Sequence, residues 1–392
     1  MTQKFNILIL TILSLLIYSC NNDDTVYVDS KNLDIKFIPI SPYGTFAPTP
    51  NKDLITYTCV NIDNITQNYL IKIDKNGNLD SIAYTIPSDD RGYSTGTIET
   101  NNNNDIYIYN NDIIAQKIVI LKYINGDLLN QQTLYCPEID GYAPTSGTPL
   151  NDGGFLAIGN KREEYSFLNE WAILRIDKDG NPFPAIPIEL SDAYNVYYTC
   201  TIEDNIILQY SDTSGDTKFV FLTLDGKILN TIVIKGFSMT VLKRYGNSLY
   251  CIINTYDNTV SNFVIQKLDS EGHTITETIP LHLNTIKSIT EVDNKVIIST
   301  YDYVRNEKKT LYDQNIGKIY LLNKDNFSEI DSIIMNYNVI PHAVFSDEKD
   351  GYNVFLSRKF NYSLEESLNS SYDNVYIYHT DNLKNLEIDP EL

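Results

Sequence analysis

Short runs of alternating apolar and polar residues recur along the chain, and each run ends in a polar turn. Residues 69–77, 171–180 and 219–226 share one form, in which an apolar run leads to an Asp and then, directly or after two polar residues, to a Gly. Alternation with a period of two is typical of half-buried β-strands, and Gly suits a hairpin position at positive φ. Residues 319–326 and 375–382 have Asn in the Gly position, which we expect to serve the same purpose.

The turns are evenly spaced. The turn residues at 77, 126, 180, 226, 272, 326 and 382 are separated by 49, 54, 46, 46, 54 and 56 residues. Each unit also contains an earlier strand, such as residues 205–210, which is predicted to be the first of its blade. After the turn come a third strand, such as 229–234, and usually a fourth, such as 239–243. Four short strands per unit and no helical periodicity predict an all-β β-propeller with seven four-stranded blades, with six or eight as alternatives.

The two ends of the repeat region complement each other. Only ten residues follow Asn382, which is enough for a third strand but not for a fourth. Residues 35–40 form a spare apolar segment ahead of the first unit. We expect this N-terminal strand to close the propeller by completing the last blade, because closure leaves no open sheet edge. The propeller domain is therefore predicted to span residues 34–392.

In general outline the repeats resemble those of bacterial PQQ-like and kelch-like propellers. The specific hallmarks are missing, since the chain has one tryptophan, Trp171, and one Gly-Gly pair, Gly153-Gly154. The resemblance therefore implies an architecture but no chemistry.

The N-terminus has the form of a secretion signal. Lys4 precedes an apolar stretch over residues 5–18, which is shorter than the roughly 20 residues of a membrane span. Residues 17–20, Ile-Tyr-Ser-Cys, resemble the lipobox of bacterial lipoproteins. The resemblance implies a signal peptide at 1–19, a lipidated Cys20 and a polar tether over 20–33. An ordinary signal peptide with an incidental cysteine is the alternative.

The residues after Cys20 bear on location. Asn21 resembles the sorting signal for the outer membrane, and the following acidic residues are similar to surface-export tags. We therefore expect an outer-membrane lipoprotein at the cell surface, with the periplasmic face as the alternative.

The negative net charge of the chain limits the classes of molecule that it is expected to bind. The formal net charge is −21 for all 392 residues. Such a chain repels phosphate backbones and anionic headgroups, so we expect no nucleic-acid partner and contact with the membrane only through the anchor. Cys59, Cys136, Cys200 and Cys251 lie largely in apolar strand patterns, so we expect buried free thiols, with disulfides as the alternative.

Acidic and aromatic residues recur where the earlier strand of a unit ends. If that strand is the innermost of its blade, these side chains ring one mouth of the central channel, where carboxylates can hold a cation or accept sugar hydroxyls. The channel-mouth candidates are Tyr210, Asp212, Tyr256, Asp257, Tyr301, Asp302 and Arg358. Asp also ends strands because it favours turns, which is the alternative.

Long loops of variable length are expected between the first and second strands on the same face, and binding residues are often found on such loops. Asp89, Asp90 and Arg91 join them from a loop between a third and a fourth strand. The loop-face candidates are Asp89, Asp90, Arg91, Arg162, Glu163, Glu164, Tyr165, Tyr303 and Arg305. Paired loop carboxylates also suit a glycoside hydrolase or lyase, although one sequence does not reveal their separation.

No catalytic motif and no histidine-based metal site stands out. Residues 74–80 and 177–181 are similar to calcium loops, but tight hairpin turns require the same residue types. We therefore expect no cofactor, with calcium as the alternative. The leading hypothesis is a non-enzymatic surface lipoprotein whose propeller face binds a glycan or a partner protein in a nutrient-capture or adhesion assembly. A propeller hydrolase or lyase and a scaffold without a small ligand are the alternatives.

Overall fold

The computed structural model describes most of the predicted propeller domain. The described residues are 37–39, 47–51, 53–62, 65–74, 78–86, 96–112, 114–162, 169–190, 192–235, 241–245, 248–257, 260–278, 281–282, 285–304, 314–337, 339–346, 351–358, 374–380 and 382–383. They fall in one compact unit, Asp34–Glu387. The predicted signal peptide, Cys20 and the tether lie outside them. No helix in the described part of the chain is long and apolar enough to cross a membrane.

The described strands form antiparallel sheets of neighbours in sequence. Sheet 1 contains β2 (Ala47–Pro48), β3 (Leu54–Ile62), β4 (Ile65–Ile73) and β5 (Leu79–Tyr84). Sheet 2 contains β6 (Thr97–Thr100), β7 (Ile106–Asp112), β8 (Lys117–Tyr123) and β9 (Gln131–Cys136). Sheet 3 contains β10 (Ala143–Pro149), β11 (Phe155–Arg162), β12 (Asn169–Ile176) and β13 (Ile186–Ile188).

The next three sheets repeat this order. Sheet 4 contains β14 (Ala193–Ile202), β15 (Asn205–Asp212), β16 (Thr217–Thr223) and β17 (Ile228–Ile234). Sheet 5 contains β18 (Val241–Tyr245), β19 (Ser248–Asp257), β20 (Val260–Leu268) and β21 (Thr274–Glu277), and β22 (Leu281–His282) also pairs with β20. Sheet 6 contains β23 (Thr285–Val292), β24 (Lys295–Val304), β25 (Gln314–Asn323) and β26 (Glu329–Tyr337).

The last sheet joins the two ends of the domain. Sheet 7 contains β27 (Val339–Ser346), β28 (Tyr352–Arg358) and β29 (Asn374–Thr380), and its fourth strand is β1 (Phe37–Pro39). Strand β1 runs antiparallel to β29, with Ile38 opposite Val375. The predicted closure by an N-terminal strand is confirmed. Sheets 1–6 are each built from consecutive strands, and sheet 7 is completed across the whole length of the domain.

Apolar clusters join each sheet to the next. One cluster spans sheets 1 and 2, the next sheets 2 and 3, and others sheets 3 and 4, 4 and 5, and 5 and 6. Sheets 6 and 7 are linked by a hydrogen bond of 2.7 Å from the Thr290 hydroxyl to the Val344 carbonyl. Leu54 of sheet 1 packs in one cluster with Phe345 of sheet 7, which closes the circle. A closed ring of packed sheets is the β-propeller that the repeats predict.

Lysines on third strands add polar links between neighbouring sheets. Lys72 donates to the Gly126 carbonyl of sheet 2 at 3.0 Å, and Lys122 donates to the Gly153 carbonyl of sheet 3 at 2.8 Å. Lys267 of sheet 5 lies 3.4 Å from Glu291 of sheet 6. Each long side chain satisfies a polar group at the rim of an apolar interface, where an unpaired group costs about 1–3 kcal/mol.

The first strand of each sheet is the innermost. All of β27 except its last residue is buried, whereas most of β17, a fourth strand, is exposed or half-exposed. First strands of adjacent sheets also pack together, as β10 does on β14. The prediction of a first strand at residues 205–210 is wrong, because β15 is the second strand of sheet 4. Residues 239–243, interpreted as a fourth strand, instead overlap β18, the first strand of sheet 5.

The recurring Gly residues occupy the predicted left-handed positions. Gly180, Gly226 and Gly272 have φ angles of 87°, 86° and 84°. Asn326 was expected to replace Gly in the same way, and this is wrong. Phe327 has the positive φ of 53° there, and its N–H donates to the Asn323 carbonyl, so this turn is one residue longer.

Loss of the closing strand is expected to destabilise the whole domain. Removing residues 21–40 takes away β1, and we expect the free energy of unfolding to fall by about 2 kcal/mol, because β29 loses its backbone partners and becomes an edge. Urea unfolding followed by circular dichroism measures this change. Removing only residues 21–33 is the matched control and should leave stability unchanged. Equal stability of the two truncated proteins would contradict the role of β1.

Candidate ligand-binding face

The channel-mouth candidates do not lie on innermost strands. Asp212 ends β15 and Asp257 ends β19, and both are second strands. Tyr256, Tyr301, Asp302 and Arg358 also lie on second strands, in β19, β24, β24 and β28. The expectation that these strands line the channel is therefore wrong. The side chains of Tyr256, Asp257, Asp302 and Arg358 lie outside the described residues, so their binding role stays a prediction.

Most loop-face candidates fall outside the described residues. Those candidates are Asp89, Asp90, Arg91, Glu163, Glu164, Tyr165 and Arg305. Only the backbone is described for Arg162, which ends β11, and for Tyr303, which lies in β24. The loops that follow β11 and β24 connect second to third strands, so the prediction that they connect first to second strands is wrong.

Tyr210 and Asp212 do meet, through two residues that the sequence analysis missed. The Tyr210 hydroxyl donates to Asp192 Oδ1 at 2.9 Å. Lys218 Nζ forms an ion pair with Asp192 and another with Asp212 Oδ2, the latter at 3.2 Å. Asp192 comes just before β14 and Lys218 lies near the start of β16, so three parts of sheet 4 contribute to one network.

Asp212 also shapes its own turn. Its Oδ1 accepts the backbone N–H groups of Ser214 at 2.9 Å and Asp216 at 3.0 Å. This is the turn geometry that short acidic side chains favour at strand ends. Both carboxylates have both oxygens engaged, but the Asp192 side chain is 40% exposed and that of Asp212 only 8%, so Asp192 is the more accessible of the two.

The network keeps both carboxylates ionised. Burial alone would raise the pKa of Asp212, but hydrogen bonds from the Asp216 backbone and from Lys218 outweigh it and hold the pKa below its usual range. The pKa of Asp192 is lowered in the same way, because bonds from Lys218 and Tyr210 outweigh burial. The hydrogen bond to Asp192 raises the pKa of Lys218. The network is thus a fixed set of charges at neutral pH.

Two exposed tyrosines lie beside this network on the innermost strand of sheet 4. The side chains of Tyr194 and Tyr197 are 67% and 55% exposed. Strand β14 has register shifts between Ala193 and Asn195 and again between Val196 and Tyr198. Each shift places one extra residue in β14 and turns its side chain away from the ladder. Val196 lies opposite Tyr210, so both tyrosines are at the Asp192 end of the sheet. We call Asp192, Tyr194, Tyr197, Tyr210, Asp212 and Lys218 the β14 face.

A second polar group, centred on Glu99, links the first strands of sheets 2 and 3. Glu99 of β6 accepts the Tyr109 hydroxyl at 2.8 Å and the Thr148 hydroxyl of β10 at 2.9 Å. Burial, reinforced by the charge of Glu99, raises the pKa of Tyr109 well above its usual value. Burial also raises the pKa of the Cys200 thiol to about 12, although the charge of Arg244 acts against it. Cys200 is therefore a neutral, structural thiol rather than a nucleophile.

The turns that are similar to calcium loops use their carboxylates internally. Asp177 accepts the Asn181 backbone N–H at 2.8 Å and the Asn181 side-chain amide at 2.9 Å. Asp74 accepts the corresponding groups of Asn78 at 2.7 and 2.8 Å. Among the residues that the structure describes, no cluster of three His, Cys, Asp or Glu side chains is arranged to hold a metal ion.

The cysteines follow the expected pattern where they are described. Cys136, Cys200 and Cys251 are free and buried, which confirms buried thiols at these three positions. The side chain of Cys59 lies outside the described residues.

Comparisons with known proteins add little at the level of sequence. No family model and no curated protein matches the chain. Among solved structures, the β-propeller domain of the Trilobed protease from Pyrococcus furiosus has 10% identity and a TM-score of 0.48, covering 90% of this chain and 100% of that chain. The BP39L lectin from Burkholderia pseudomallei has 8% identity and a TM-score of 0.45, covering 82% and 97%. The acylaminoacyl peptidase from Pyrococcus horikoshii has 10% identity and a TM-score of 0.48, covering 86% of this chain and 51% of the peptidase.

Replacing Lys218 with Met is expected to destabilise the protein at pH 7 but not in acid. The stabilisation from Asp192 and Asp212, whose pKa values are lowered in the folded state, is present above the unfolded value of about 3.9 and is lost as the pH falls through the folded values. Melting temperatures at pH 7 and at about pH 3 measure the change. Lys227→Met, at an exposed lysine in the next turn, is the control. A deficit for Lys218→Met that persists unchanged in acid would contradict the proposed coupling.

Proposed function

We propose that this chain is a non-enzymatic lipoprotein, anchored through Cys20 at the outer membrane, whose β14 face binds a glycan. The proposal takes the seven sheets as the seven blades of one closed ring. It also takes residues 1–19 as a removed signal peptide and 20–33 as a tether that displays the ring at the cell surface. A nutrient-capture or adhesion assembly is the setting that such a display serves.

The exposure of Tyr194 and Tyr197 is the observation that carries the proposal. A folded protein gains by burying aromatic rings, yet these two project from the innermost strand of sheet 4 into solvent. A tyrosine ring offers an apolar face for the C–H surface of a sugar and a hydroxyl for hydrogen bonding. Two such exposed rings on one strand offer apolar surfaces on which sugar units can stack.

The polar groups beside the rings suit the hydroxyls of a sugar. Asp192 accepts and Lys218 donates hydrogen bonds, and both are held in place by contacts within sheet 4. Because these groups are ordered before a ligand arrives, little side-chain entropy remains to be lost on binding. The ordered network and the exposed rings together favour a sugar over a purely apolar ligand.

An enzymatic role is the alternative from a different class. A glycoside hydrolase needs a carboxylic acid that stays protonated near neutral pH, which requires a raised pKa. The pKa values of Asp192, Asp212 and Glu291 are instead lowered by hydrogen bonds that outweigh burial. The loop carboxylates Asp89, Asp90, Glu163 and Glu164 lie outside the described residues, and a hydrolase or lyase would have to use them. A partner protein on the same face is the other alternative, and a scaffold without a small ligand is the third.

The first test is a thermal-shift screen of the protein from residue 21 onward against polysaccharides, oligosaccharides, calcium and EDTA. A glycan at a hundred times its dissociation constant is expected to stabilise the protein by about 2.7 kcal/mol. Tyr194→Ala and Tyr197→Ala should each weaken that glycan about tenfold without changing the stability of the free protein. Tyr135→Ala, at a tyrosine that is 46% exposed on β9, is the control.

Each outcome of the screen decides between the hypotheses. Binding that survives both tyrosine substitutions contradicts the role of the β14 face. Cleavage of the bound glycan replaces the binding function with the hydrolase or lyase. A panel without any hit contradicts the glycan proposal and makes a partner protein the leading hypothesis.

Lipidation is tested separately. Cells expressing the protein are fed an alkyne fatty acid, and label is expected in the wild type and in Ser19→Ala but not in Cys20→Ser. External protease is expected to degrade the labelled protein in intact cells. Label in Cys20→Ser would contradict the anchor, and protection from protease would place the protein on the periplasmic face.

A further inference from the structure

A bulge recurs at one level of the innermost strands. Strands β10, β14, β23 and β27 each have a register shift that skips one residue in the pairing with the second strand. In all four sheets the pairing resumes at the fourth or fifth residue of that second strand. The skipped residues are Thr145, Tyr197, Lys287 and His342. They therefore lie at the same level around the centre of the ring, where a bulge re-aims a side chain out of the ladder.

Lys287 brings a positive charge to this level. It is half-buried, and its Nζ lies 5.2 Å from the centre of the ring of Tyr301, which belongs to the second strand of the same sheet. Within the described part of the chain Lys287 forms no ion pair, whereas Lys218 of the β14 face pairs with two carboxylates. The face of an aromatic ring attracts a cation, but an ammonium group has three N–H donors, and a carboxylate is the acceptor that suits them best.

The bulge of the next sheet adds a neutral group. His342, on the innermost strand of sheet 7, is only 6% exposed. Burial and, to a smaller extent, the charge of Lys287 lower the pKa of the His342 imidazole to about 3. The two side chains therefore lie near each other across the boundary between sheets 6 and 7, and His342 carries no charge at neutral pH. Of the four skipped residues, Lys287 is the only one with a positive charge.

Lys287 and the β14 face lie at the same end of the ring. The shifts that skip Lys287 and Tyr197 occupy the same position in sheets 6 and 4. Tyr197 is 55% exposed, so a side chain skipped at this position can reach solvent. Arg358 ends β28, the second strand of sheet 7, and thus belongs to this end as well. The boundary between sheets 6 and 7 therefore has two basic residues at the end that carries the exposed tyrosines.

On the basis of the proposed glycan binding, we infer that the glycan is acidic: the carboxylate of a uronic acid unit binds Lys287, and other units of the chain contact Tyr197. Lys218 does not take this part, because Asp192 and Asp212 already balance its charge. The net charge of −21 does not prevent binding, since salt screens exposed charges beyond about 8 Å at physiological ionic strength. A direct ion pair with a half-buried ammonium group is screened much less.

Pairs of probes that differ only in charge test the inference. Trisaccharides of galacturonate, glucuronate and mannuronate are titrated into the protein from residue 21 onward, each as the free acid and as its methyl ester, by isothermal titration calorimetry. At least one acid is expected to bind about tenfold more tightly than its ester, and the preference should shrink in about 1 M salt. Binding of neutral glycans alone, or no preference for the acid in any pair, would overturn the inference and leave glycan binding intact. If neither these probes nor any neutral glycan binds, both are contradicted.

Substitutions locate the carboxylate on the protein. Lys287→Met should reduce the affinity for the acid to that of its ester, and Lys287→Arg should keep most of the preference because the charge is kept. Lys295→Met is the matched control, because Lys295 also lies over a tyrosine ring, that of Tyr352 at 5.6 Å, but at the opposite end of sheet 6. Tyr197→Ala should weaken acid and ester alike. Melting temperatures show that the variants are folded, and a preference for the acid that survives in folded Lys287→Met would overturn the inference.

Discussion

Mutual covering of neighbouring sheets is the constraint on which the rest of the structure depends. Each sheet has apolar residues on both faces, and each face is buried only by the adjacent sheet. Leu70 and Phe355 show the pattern, since one packs toward sheet 2 and the other toward sheet 1. Such an arrangement is complete only when the last sheet meets the first. The three-residue strand β1 therefore contributes to the stability of the whole domain, because it completes the last sheet.

Closure also determines where function can lie. The faces of the sheets are buried by packing against neighbouring sheets. Ligands can therefore bind only at strand ends, at turns and at the boundaries between sheets. The β14 face lies at one end of sheet 4. It uses side chains that a regular ladder would have buried, since Tyr194 and Tyr197 lie at the two register shifts of β14.

Sequence reasoning succeeded where local chemistry is strong. Second and third strands are joined to neighbours by tight turns with Gly at positive φ, so residues such as Gly226 mark the repeat. Several first strands are short or irregular, as in the two residues of β2 and the shifted register of β14, so they were overlooked or taken for the fourth strand of the preceding unit. The repeat was therefore assigned one strand out of phase, and the channel-mouth candidates were placed on the wrong strands.

Only some residues of the β14 face could be predicted from the sequence, because the others join the site through contacts between distant parts of the chain. Tyr210 and Asp212 were found because they end a regular strand, but Asp192 and Lys218 join them through contacts that no local pattern reveals. Tyr194 and Tyr197 did leave a signal, since the run 194–198 interrupts the alternation that an innermost strand should show. The side chains of Asp257, Asp302 and Arg358 lie outside the described residues, so their predicted role in binding is untested.

The most direct test of the closed ring is hydrogen exchange of strand β29 in the intact protein. If β1 covers β29 in solution, the amides of residues 374–376 of β29, which lie opposite β1, should exchange as slowly as those of β16, the equivalent third strand of sheet 4. Third strands are paired on both sides, whereas an edge strand such as β17 leaves part of its amides open to water. Exchange of β29 as fast as that of β17 would show that the ring is open and would contradict the account.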